Sequence, residues 1–262
     1  MTIHSSISEL SVEVRNGVAI LSLNRAEKRN ALALRMWQAI PAILDSVEAD
    51  SDISALVFTG AGDHFSAGAD ISEFKTVRGT EEGADSYRNA VDAAERKLAA
   101  MTKPTIAMIR GYCVGGGCEI ALACDFRIAS TTAKLGITAS KLGIVYGVPS
   151  TRRLASIVGP AWAKYVLFSA KILDAAKADK IGLLTELVED EALESTTFEF
   201  AELLAGRSPI TIAASKMVID QFSQVDTLEA PDLAPHARAA VTGTYYQDAV
   251  TAFNDKTLPR EV

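Results

Sequence analysis

The most informative part of this chain is the stretch Gly111-Tyr112-Cys113-Val114-Gly115-Gly116-Gly117-Cys118-Glu119. The apolar run before it, residues 104–109, predicts a strand, and the alanine-rich run after it, residues 119–123, predicts a helix. Consecutive glycines at such a turn let the backbone approach a ligand closely, because no Cβ stands in the way. The helix would direct unpaired N–H groups at that ligand, beside the carboxylate of Glu119. This arrangement suits stabilisation of an oxyanion while the carboxylate moves a proton.

Other interpretations of this turn differ in how well they fit. A glycine-rich turn that serves only close packing stays open at this point. A Walker loop requires Gly-Lys-Ser/Thr, whereas this chain has Gly117-Cys118-Glu119. A dinucleotide-binding loop requires GxGxxG, but the residue three positions after Gly117 is Ile120. An acidic residue in the turn would also repel a pyrophosphate.

Composition limits the classes of partner. The chain has 262 residues, of which 48% are hydrophobic and 23% charged, which is typical of a soluble globular protein. Its net charge is −7 and its pI is near 5.1, so the sequence offers no excess of basic residues for binding nucleic acid. A small anionic ligand remains open, because it requires only a few local cations.

The cysteines are Cys113, Cys118 and Cys124. Their sparse, odd number predicts a reduced, cytoplasmic protein. Their spacing, with only three histidines elsewhere, does not match a zinc site, so no metal is expected. No apolar run reaches the ~18 residues that span a membrane, and residues 1–15 do not resemble a transit segment.

Local patterns predict an α/β protein. Residues 12–15 and 18–23 flank Asn16-Gly17, which is typical of a β-hairpin. Residues 30–47 have helical apolar spacing, with a kink or break expected at Pro41. Further strands are predicted at residues 53–59, 104–109, 126–129, within 135–144, and at 185–188. Further helices are predicted at residues 80–101, 160–170 and 173–181.

The pattern changes after Asp190. Residues 193–205, 210–222 and 235–253 are all predicted helices, with no strand between them. We therefore divide the chain into a core at residues 1–190 and a C-terminal helical region at 191–262. That region would serve oligomerisation or closure of a site, or alternatively cover one face of the same core.

Several motifs in sequence order are more specific than any one of them. They are Leu23-Asn24-Arg25, Lys28-Arg29-Asn30-Ala31-Leu32, Phe65 to Ile71, Lys103-Pro104, Gly115 to Glu119, Cys124-Asp125, Lys141 to Ile144, and Arg152-Arg153-Leu154. Together they resemble the crotonase superfamily, the enoyl-CoA hydratase/isomerase group, over nearly the whole chain. The resemblance implies a spiral of ββα units with C-terminal helices that build trimers, which often pair into hexamers.

The resemblance also implies an acyl-CoA thioester as substrate, with coenzyme A as part of the substrate and no further cofactor. The backbone N–H groups of Ala69 and Gly116 would form an oxyanion hole for the thioester carbonyl. Lys256 matches a position that reaches a CoA phosphate of a neighbouring subunit, or it is a solvated charge near the C-terminus. The CoA groove would be lined by Lys28, Asn30, Ala31, Leu32, Ala67, Asp70, Ile71 and Gly115.

The sequence departs from the hydratase pattern at one position. Hydratases of this family use two glutamates, and the first matches Glu119. Ala139 occupies the expected position of the second, and alanine cannot transfer a proton. Candidates to replace the carboxylate are Tyr146, Glu73 and Asp70.

Thr138 and Tyr146 together resemble the pattern of methylmalonyl-CoA decarboxylases in the same superfamily. Those enzymes also use a histidine at the position of Ala69, so this resemblance is incomplete. Alternatively, Tyr146 is a core aromatic residue with its hydroxyl hydrogen-bonded.

The sequence therefore predicts hydration, dehydration or double-bond isomerisation of an enoyl-CoA, with Glu119 as acid/base. The alternatives are an acyl-CoA decarboxylase that uses Tyr146 and Thr138, and a non-catalytic acyl-CoA-binding protein.

Overall fold

The computed structural model describes residues 5–223 and 244–255. The chain begins with the predicted hairpin, formed by β1 (Leu10–Arg15) and β2 (Val18–Leu23). Asn16 and Gly17 connect them with φ angles of 50° and 75°. Positive φ at both turn residues matches the right-handed twist of the two strands, which explains why Asn-Gly directs this hairpin.

The main sheet has six strands in the order β1-β2-β3-β4-β6-β9. The β1–β2 pair is antiparallel, and every later pair is parallel. Parallel neighbours require crossover connections, which the helices between the strands supply. The remaining strands of this sheet are β3 (Ala55–Gly60), β4 (Thr105–Ile109), β6 (Phe126–Ser130) and β9 (Glu186–Val188).

A second, three-stranded sheet has the order β5-β7-β8. Its strands are β5 (Tyr112–Val114), β7 (Lys134–Gly136) and β8 (Leu173–Asp174). The prediction of a helix over the whole of residues 173–181 was wrong at its start, because Leu173 and Asp174 pair with β7. Asp174 then caps α6 (Ala175–Lys180), since its carboxylate accepts the Lys177 N–H at 2.7 Å.

A kink or a break was predicted at Pro41, and helix α1 (Leu34–Ala49) runs through it as one element, so the break does not occur. Proline inside a helix removes one hydrogen bond, and its ring crowds the carbonyl of the preceding turn. The buried face of α1, which includes Trp37, Ile40 and Leu44, packs into the core and keeps the helix continuous.

Helix α5 (Val148–Ser169) begins twelve residues before the predicted start at residue 160. Gly159 lies inside it with φ 75° and ψ 161°, which are not helical angles, and Pro160 follows. Proline is tolerated in the first turn of a helix, so Pro160 begins the second half of a bent helix. The sequence pattern predicted only this second half of the helix, from residue 160.

Helices cover both faces of the main sheet. Leu56 and Phe58 of β3 belong to the large core that includes α1, whereas Ala55 and Val57 face α7 (Leu193–Ala205). This alternation follows from the two-residue repeat of a strand. Helix α7 therefore covers one face of the core, which was one of the two roles predicted for the C-terminal region. The domain boundary at residue 190 stays a prediction.

The remaining helices complete the described structure. They are α2 (Phe74–Val77), α3 (Glu81–Ala99), α4 (Gly116–Ala123), α8 (Pro209–Ser223) and α9 (Thr244–Asn254). The predicted helix at 235–253 begins outside the described residues. No helix in the described ranges combines the length and apolar character needed to cross a membrane. The same ranges contain no cluster of three or more metal-ligating side chains.

Candidate active site

A cavity of about 130 Å³ opens beside the N-terminus of α4. Five parts of the chain form its wall: Trp37 of α1, the loop at 67–71, the region from 74 to 92, the α4 start at Gly115, Gly116 and Glu119, and the segment at 138–147. The wall combines backbone groups with apolar and charged side chains. Helix α9 packs against the 3₁₀ turns Ile71–Glu73 and Ala139–Leu142 beside this cavity.

The turn between β5 and α4 depends on glycine. Gly115 has φ 52° and ψ −115°, a conformation that a residue with a Cβ rarely adopts. Its N–H donates to the carbonyl oxygen of Gly136 at 2.8 Å, which ties the turn to β7. Helix α4 begins at the next residue, Gly116, so its first N–H groups lie at the cavity.

The loop at 67–71 lies directly against this turn. Leu32 N–H donates to the Gly68 carbonyl at 2.7 Å, and Asp70 N–H donates to the Leu32 carbonyl at 2.8 Å. A Cβ on Gly68, whose φ is 96°, would lie only 2.8 Å from the Val114 carbonyl oxygen and 3.5 Å from the Gly116 nitrogen. The glycine therefore permits the contact between the two segments.

The backbone N–H groups of Ala69 and Gly116 lie on adjacent segments of the cavity wall. Within residues 5–223 and 244–255, neither N–H donates a hydrogen bond. The hydrogen bonds to Leu32 come from the two neighbours of Ala69, through the carbonyl of Gly68 and the N–H of Asp70. The N–H of Ala69 itself is therefore left available. Two unpaired backbone donors beside a cavity can stabilise negative charge on a ligand oxygen.

Glu119 lies in the first turn of α4 and lines the same cavity. A Cβ on Gly116 would be 3.5 Å from Glu119 Oε2, so the carboxyl group is close to the unpaired Gly116 N–H. Burial, followed by the nearby Glu95 and Cys118, raises the pKa of Glu119 well above its usual value. A raised pKa brings a carboxyl group closer to the range where it can both accept and donate a proton.

Thr138, Ala139 and Tyr146 also line the cavity. The structure thus brings all five sequence-predicted catalytic residues to one cavity, and no carboxylate stands at Ala139. The Tyr146 hydroxyl is buried and has no hydrogen-bond partner among the described residues, so the alternative of a hydrogen-bonded core tyrosine has no support from that part of the chain. Burial and the nearby Glu119 raise the pKa of Tyr146 well above its usual value, which keeps the phenol protonated.

Asp70 and Glu73, the other candidates to replace the carboxylate, make their contacts elsewhere. Glu73 Oε1 accepts the Leu34 N–H at 2.6 Å, at the start of α1. Asp70 Oδ2 lies 2.9 Å from Arg25 and 3.3 Å from Lys28. Burial alone would raise the pKa of Asp70, but these hydrogen bonds and one from Ser72 lower it to about 2. Neither side chain lines the cavity that contains Ala139.

The residues predicted to line a CoA groove fall into two groups. Ala67, Ile71 and Gly115 line the cavity, while Lys28 is exposed and Ala31 is half-buried in the neighbouring loop. Leu32 and Asn30 are fully buried and do not line the cavity. The Asn30 amide donates to the carbonyl oxygens of Ala61 and His64. Lys256 lies outside the described residues.

The sequence did not indicate the side chains that α2 and α3 bring to the cavity. They are Phe74, Arg78, Glu81, Ala84, Asp85, Tyr87, Arg88, Val91 and Asp92. Residues 81, 84, 85, 88, 91 and 92 recur at helical spacing, which could have identified one face of α3. Asp92 lies close to the segment that carries Tyr146, because a Cβ on Gly147 would be 3.5 Å from Asp92 Oδ1. Burial raises the pKa of Asp92.

The fold and this cavity define an α/β protein in which two backbone donors and a half-buried carboxyl group line one cavity. The model of the enoyl-CoA hydratase/isomerase family matches residues 13–255. The chain therefore belongs to the enoyl-CoA hydratase/isomerase family and has the crotonase fold.

Relatives with hydratase names support this membership. The chain is 36% identical to the short-chain-enoyl-CoA hydratase of Clostridium acetobutylicum over 252 residues, covering 95% of this chain and 96% of that protein. It is 30% identical to the mitochondrial methylglutaconyl-CoA hydratase of Rattus norvegicus, covering 95% and 80%. Among solved structures, methylmalonyl-CoA decarboxylase in complex with 2-nitronate-propionyl-CoA superposes with a TM-score of 0.86 at 26% identity, covering 98% and 99%.

Proposed function

We propose that the protein is an enzyme that processes an acyl-CoA thioester through an enolate-type intermediate. The backbone N–H groups of Ala69 and Gly116 stabilise the negative charge that develops on the thioester oxygen, and Glu119 transfers the proton. The observation that carries the proposal is that the Glu119 carboxyl group and Gly116, whose N–H is unpaired among the described residues, line one cavity. Preorganised donors of this kind contribute about 3–4 kcal/mol each to a transition state.

The reaction that this arrangement supports best is proton transfer on an enoyl-CoA. In isomerisation, Glu119 removes a proton from the carbon next to the thioester carbonyl of a 3-enoyl-CoA. The electron pair moves to the thioester oxygen, and the same proton returns at carbon 4, so the double bond ends at carbon 2. One carboxyl group is sufficient for this exchange, because the proton leaves and returns through the same group.

Hydration places a greater demand on the site. The oxygen of a water molecule adds to carbon 3, one of its protons passes to Glu119, and carbon 2 gains a proton. Ala139 cannot hold that water or transfer a proton. Loss of a positioned acid or base costs about 10²–10⁴-fold in rate. Hydration at a normal rate would therefore require Tyr146 or Asp92 to act in place of the second carboxylate.

The second candidate function is decarboxylation of an acyl-CoA that carries a carboxylate on the carbon next to the carbonyl. The bond to CO₂ breaks, its electron pair forms the enolate in the oxyanion hole, and Tyr146 supplies the final proton, with Thr138 beside it. Tyr146 lines the cavity, and its hydroxyl is buried without a partner among the described residues, which favours this candidate. The structural similarity to methylmalonyl-CoA decarboxylase supports it as well. Ala69, where those enzymes have histidine, counts against it.

Coenzyme A would enter as part of the substrate, with no separate cofactor. Lys28, Ala31, Ala67, Ile71 and Gly115 would line its groove. Asn30, Leu32 and Asp70 would hold the groove's loops in place, and Lys256 would reach a phosphate of CoA bound to a neighbouring subunit.

The proposed assembly is a homotrimer or a hexamer. Helix α8 supports this proposal, because it exposes large apolar side chains: Ile210 is 81% exposed and Met217 is 60% exposed. Apolar side chains on one helix indicate a surface that another subunit could cover. The proposed location in the cytoplasm rests on the sparse cysteines.

The test is mass spectrometry of enoyl-, acyl- and malonyl-type CoA thioesters after incubation with the protein in D₂O. Addition of heavy water to an enoyl-CoA would identify a hydratase, in which another group acts at the position of Ala139. Deuterium uptake without addition would identify proton transfer by Glu119, and loss of CO₂ would identify the decarboxylase. Binding of thioesters with no turnover of any would favour the non-catalytic acyl-CoA-binding protein.

A further inference from the structure

Arg78 differs from the other arginines around the cavity. It follows α2, and its side chain lines the cavity. Arg88, which also lines the cavity, forms an ion pair with Asp85 at 2.8 Å. Arg78 has no carboxylate within the 4.0 Å ion-pair distance among the described residues. Its positive charge is therefore not neutralised by a direct partner in that part of the chain.

Aromatic rings fix the position of the Arg78 guanidinium group. Its central carbon lies 4.8 Å from the centre of the Phe74 ring, 5.1 Å from Tyr87 and 5.9 Å from Tyr246 of α9. Contacts between a cation and ring faces stabilise this arrangement. Rings accept no ordinary hydrogen bonds, so they leave the guanidinium N–H groups available.

Two buried polar groups at Arg78 lack a partner among the described residues. The Nε of Arg78 is buried without an acceptor there, and an arginine N–H can only donate a hydrogen bond. The hydroxyl of Tyr246, whose ring faces the same guanidinium group, is also buried without a partner among these residues. Native proteins rarely leave such groups unsatisfied, so a ligand with acceptor atoms is expected here.

The charge of Arg78 favours an anionic acceptor. A carboxylate has two oxygens that match the fork of donors on a guanidinium group. Glu119 does not serve as that acceptor, because no hydrogen bond joins it to Arg78, and its pKa stays well above the usual value despite Arg78. Of the acidic side chains on this wall, Glu81 is exposed, and Asp85 and Asp92 pair with Arg88 and Arg96.

We infer that the acyl group of the substrate carries a carboxylate, which the guanidinium group of Arg78 binds inside this cavity. The inference rests on the proposed function, because the acyl chain must enter the cavity with its thioester at Ala69 and Gly116. It narrows the substrate to CoA thioesters of dicarboxylic acids, and it applies to both hydration and isomerisation, in which the carboxylate stays on the acyl group.

The experiment measures binding to the full-length protein by titration calorimetry, with saturated thioesters that have no double bond to hydrate or isomerise. Two matched pairs place the carboxylate at different distances: succinyl-CoA against butyryl-CoA, and glutaryl-CoA against pentanoyl-CoA. In at least one pair, the carboxylated member should bind about 10- to 100-fold more tightly, which corresponds to a hydrogen-bonded charge pair. R78M should abolish that preference without changing the affinity for the neutral thioester.

R88M is the matched control, because Arg88 lines the same cavity but is already paired, and this variant should keep the preference. R78K keeps the positive charge but lacks the paired donors of the guanidinium group, so it should keep part of the preference for the carboxylated thioester. The inference is overturned if the wild-type protein binds both members of each pair within about twofold, or if folded R78M keeps the preference. The wild-type comparison decides the question even if R78M does not fold. If no CoA thioester binds at all, the proposed function itself fails, and that outcome is distinct from equal binding.

Discussion

Replacement of Glu119 by glutamine removes the ionisable group and keeps the size of the side chain. The Glu119 carboxyl group lies close to Gly116 and receives no hydrogen bond from the described side chains, so the amide should fit the same space. Loss of a positioned acid/base group should slow proton exchange at the carbon next to the thioester carbonyl by about 10²–10⁴-fold. This corresponds to about 3–5.5 kcal/mol in the activation barrier. Affinity for a saturated acyl-CoA should change by less than about twofold.

The same replacement should affect stability in the opposite direction. Because burial raises the pKa of Glu119 well above 4.5, the folded protein binds this proton more tightly than the unfolded chain does. The free energy of unfolding is therefore highest below the unfolded pKa, decreases as pH rises toward the folded pKa, and stays reduced above it. Each tenfold difference in proton affinity between the folded and unfolded states corresponds to about 1.4 kcal/mol. The Glu119→Gln variant lacks this penalty, so it should be more stable than wild type in alkaline buffer and similar near pH 4.5.

Two assays check this pair of effects: deuterium exchange of an acyl-CoA followed by mass spectrometry, and urea unfolding at several pH values. Glu73→Gln is a matched control, because Glu73 binds the Leu34 N–H outside the cavity and its variant should keep the exchange activity. Exchange at the wild-type rate in Glu119→Gln would refute the role of this residue. A variant that is less stable than wild type at alkaline pH would show that burial does not raise the pKa of Glu119.

Four further changes test other parts of the site. Gly116→Pro removes one N–H and should lower the turnover of every substrate by about 10²–10³-fold relative to Gly116→Ala. Gly116→Ala is the control, because it introduces the same Cβ but keeps the donor. Equal turnover rates in the two variants would exclude this N–H from the oxyanion hole. Ala139→Glu should raise the rate of crotonyl-CoA hydration, followed by loss of enoyl absorbance, and no gain would mean that the second carboxylate is not what hydration lacks. Glu95→Gln removes a neighbouring negative charge and should lower the pKa of Glu119, which would appear as a shift of the pH–rate profile to lower pH; an unchanged profile contradicts the coupling. Asp70→Asn leaves the buried Arg25 unpaired and should reduce the free energy of unfolding at neutral pH by about 3–5 kcal/mol. Hydrogen bonds lower the pKa of Asp70 to about 2 in the folded protein, against 3.8 in the unfolded chain. The stability that the ionised Asp70 contributes is therefore complete above pH 3.8 and disappears as pH falls through 2. A difference in stability between wild type and Asp70→Asn that persists at pH 2 would contradict this ion pair.

The sequence predicted the parts of the molecule that depend on local chemistry. Asn16-Gly17 specifies its hairpin through φ angles that few other pairs adopt, and Gly115 specifies a turn that excludes a Cβ. The family resemblance predicted that Ala69 and Glu119 share one site, and both line the same cavity although they are fifty residues apart in the chain. The spacing of these residues alone does not predict that proximity.

Features that depend on tertiary packing were missed. Strand β5 (Tyr112–Val114) is only three residues long, and it forms because β7 lies beside it. The halves of α5 are joined across Gly159, where the sequence indicates a break. Arg78 and Asp92 reach the cavity only because α2 and α3 pack across it, and a charged residue on a polar helix does not reveal which side faces a cavity.

The proposed oxyanion hole consists of main-chain atoms, whereas the groups that would choose the reaction are side chains. Every residue except proline supplies an N–H, so natural variation at Ala69 can proceed without loss of the donor. Thr138, Ala139 and Tyr146 lie on a separate segment, and they can be exchanged without disturbing the contact between Gly68 and Gly116. Libraries confined to those three positions should therefore move the protein between reactions on one preserved scaffold, as a model of how an enzyme lineage acquires new activities.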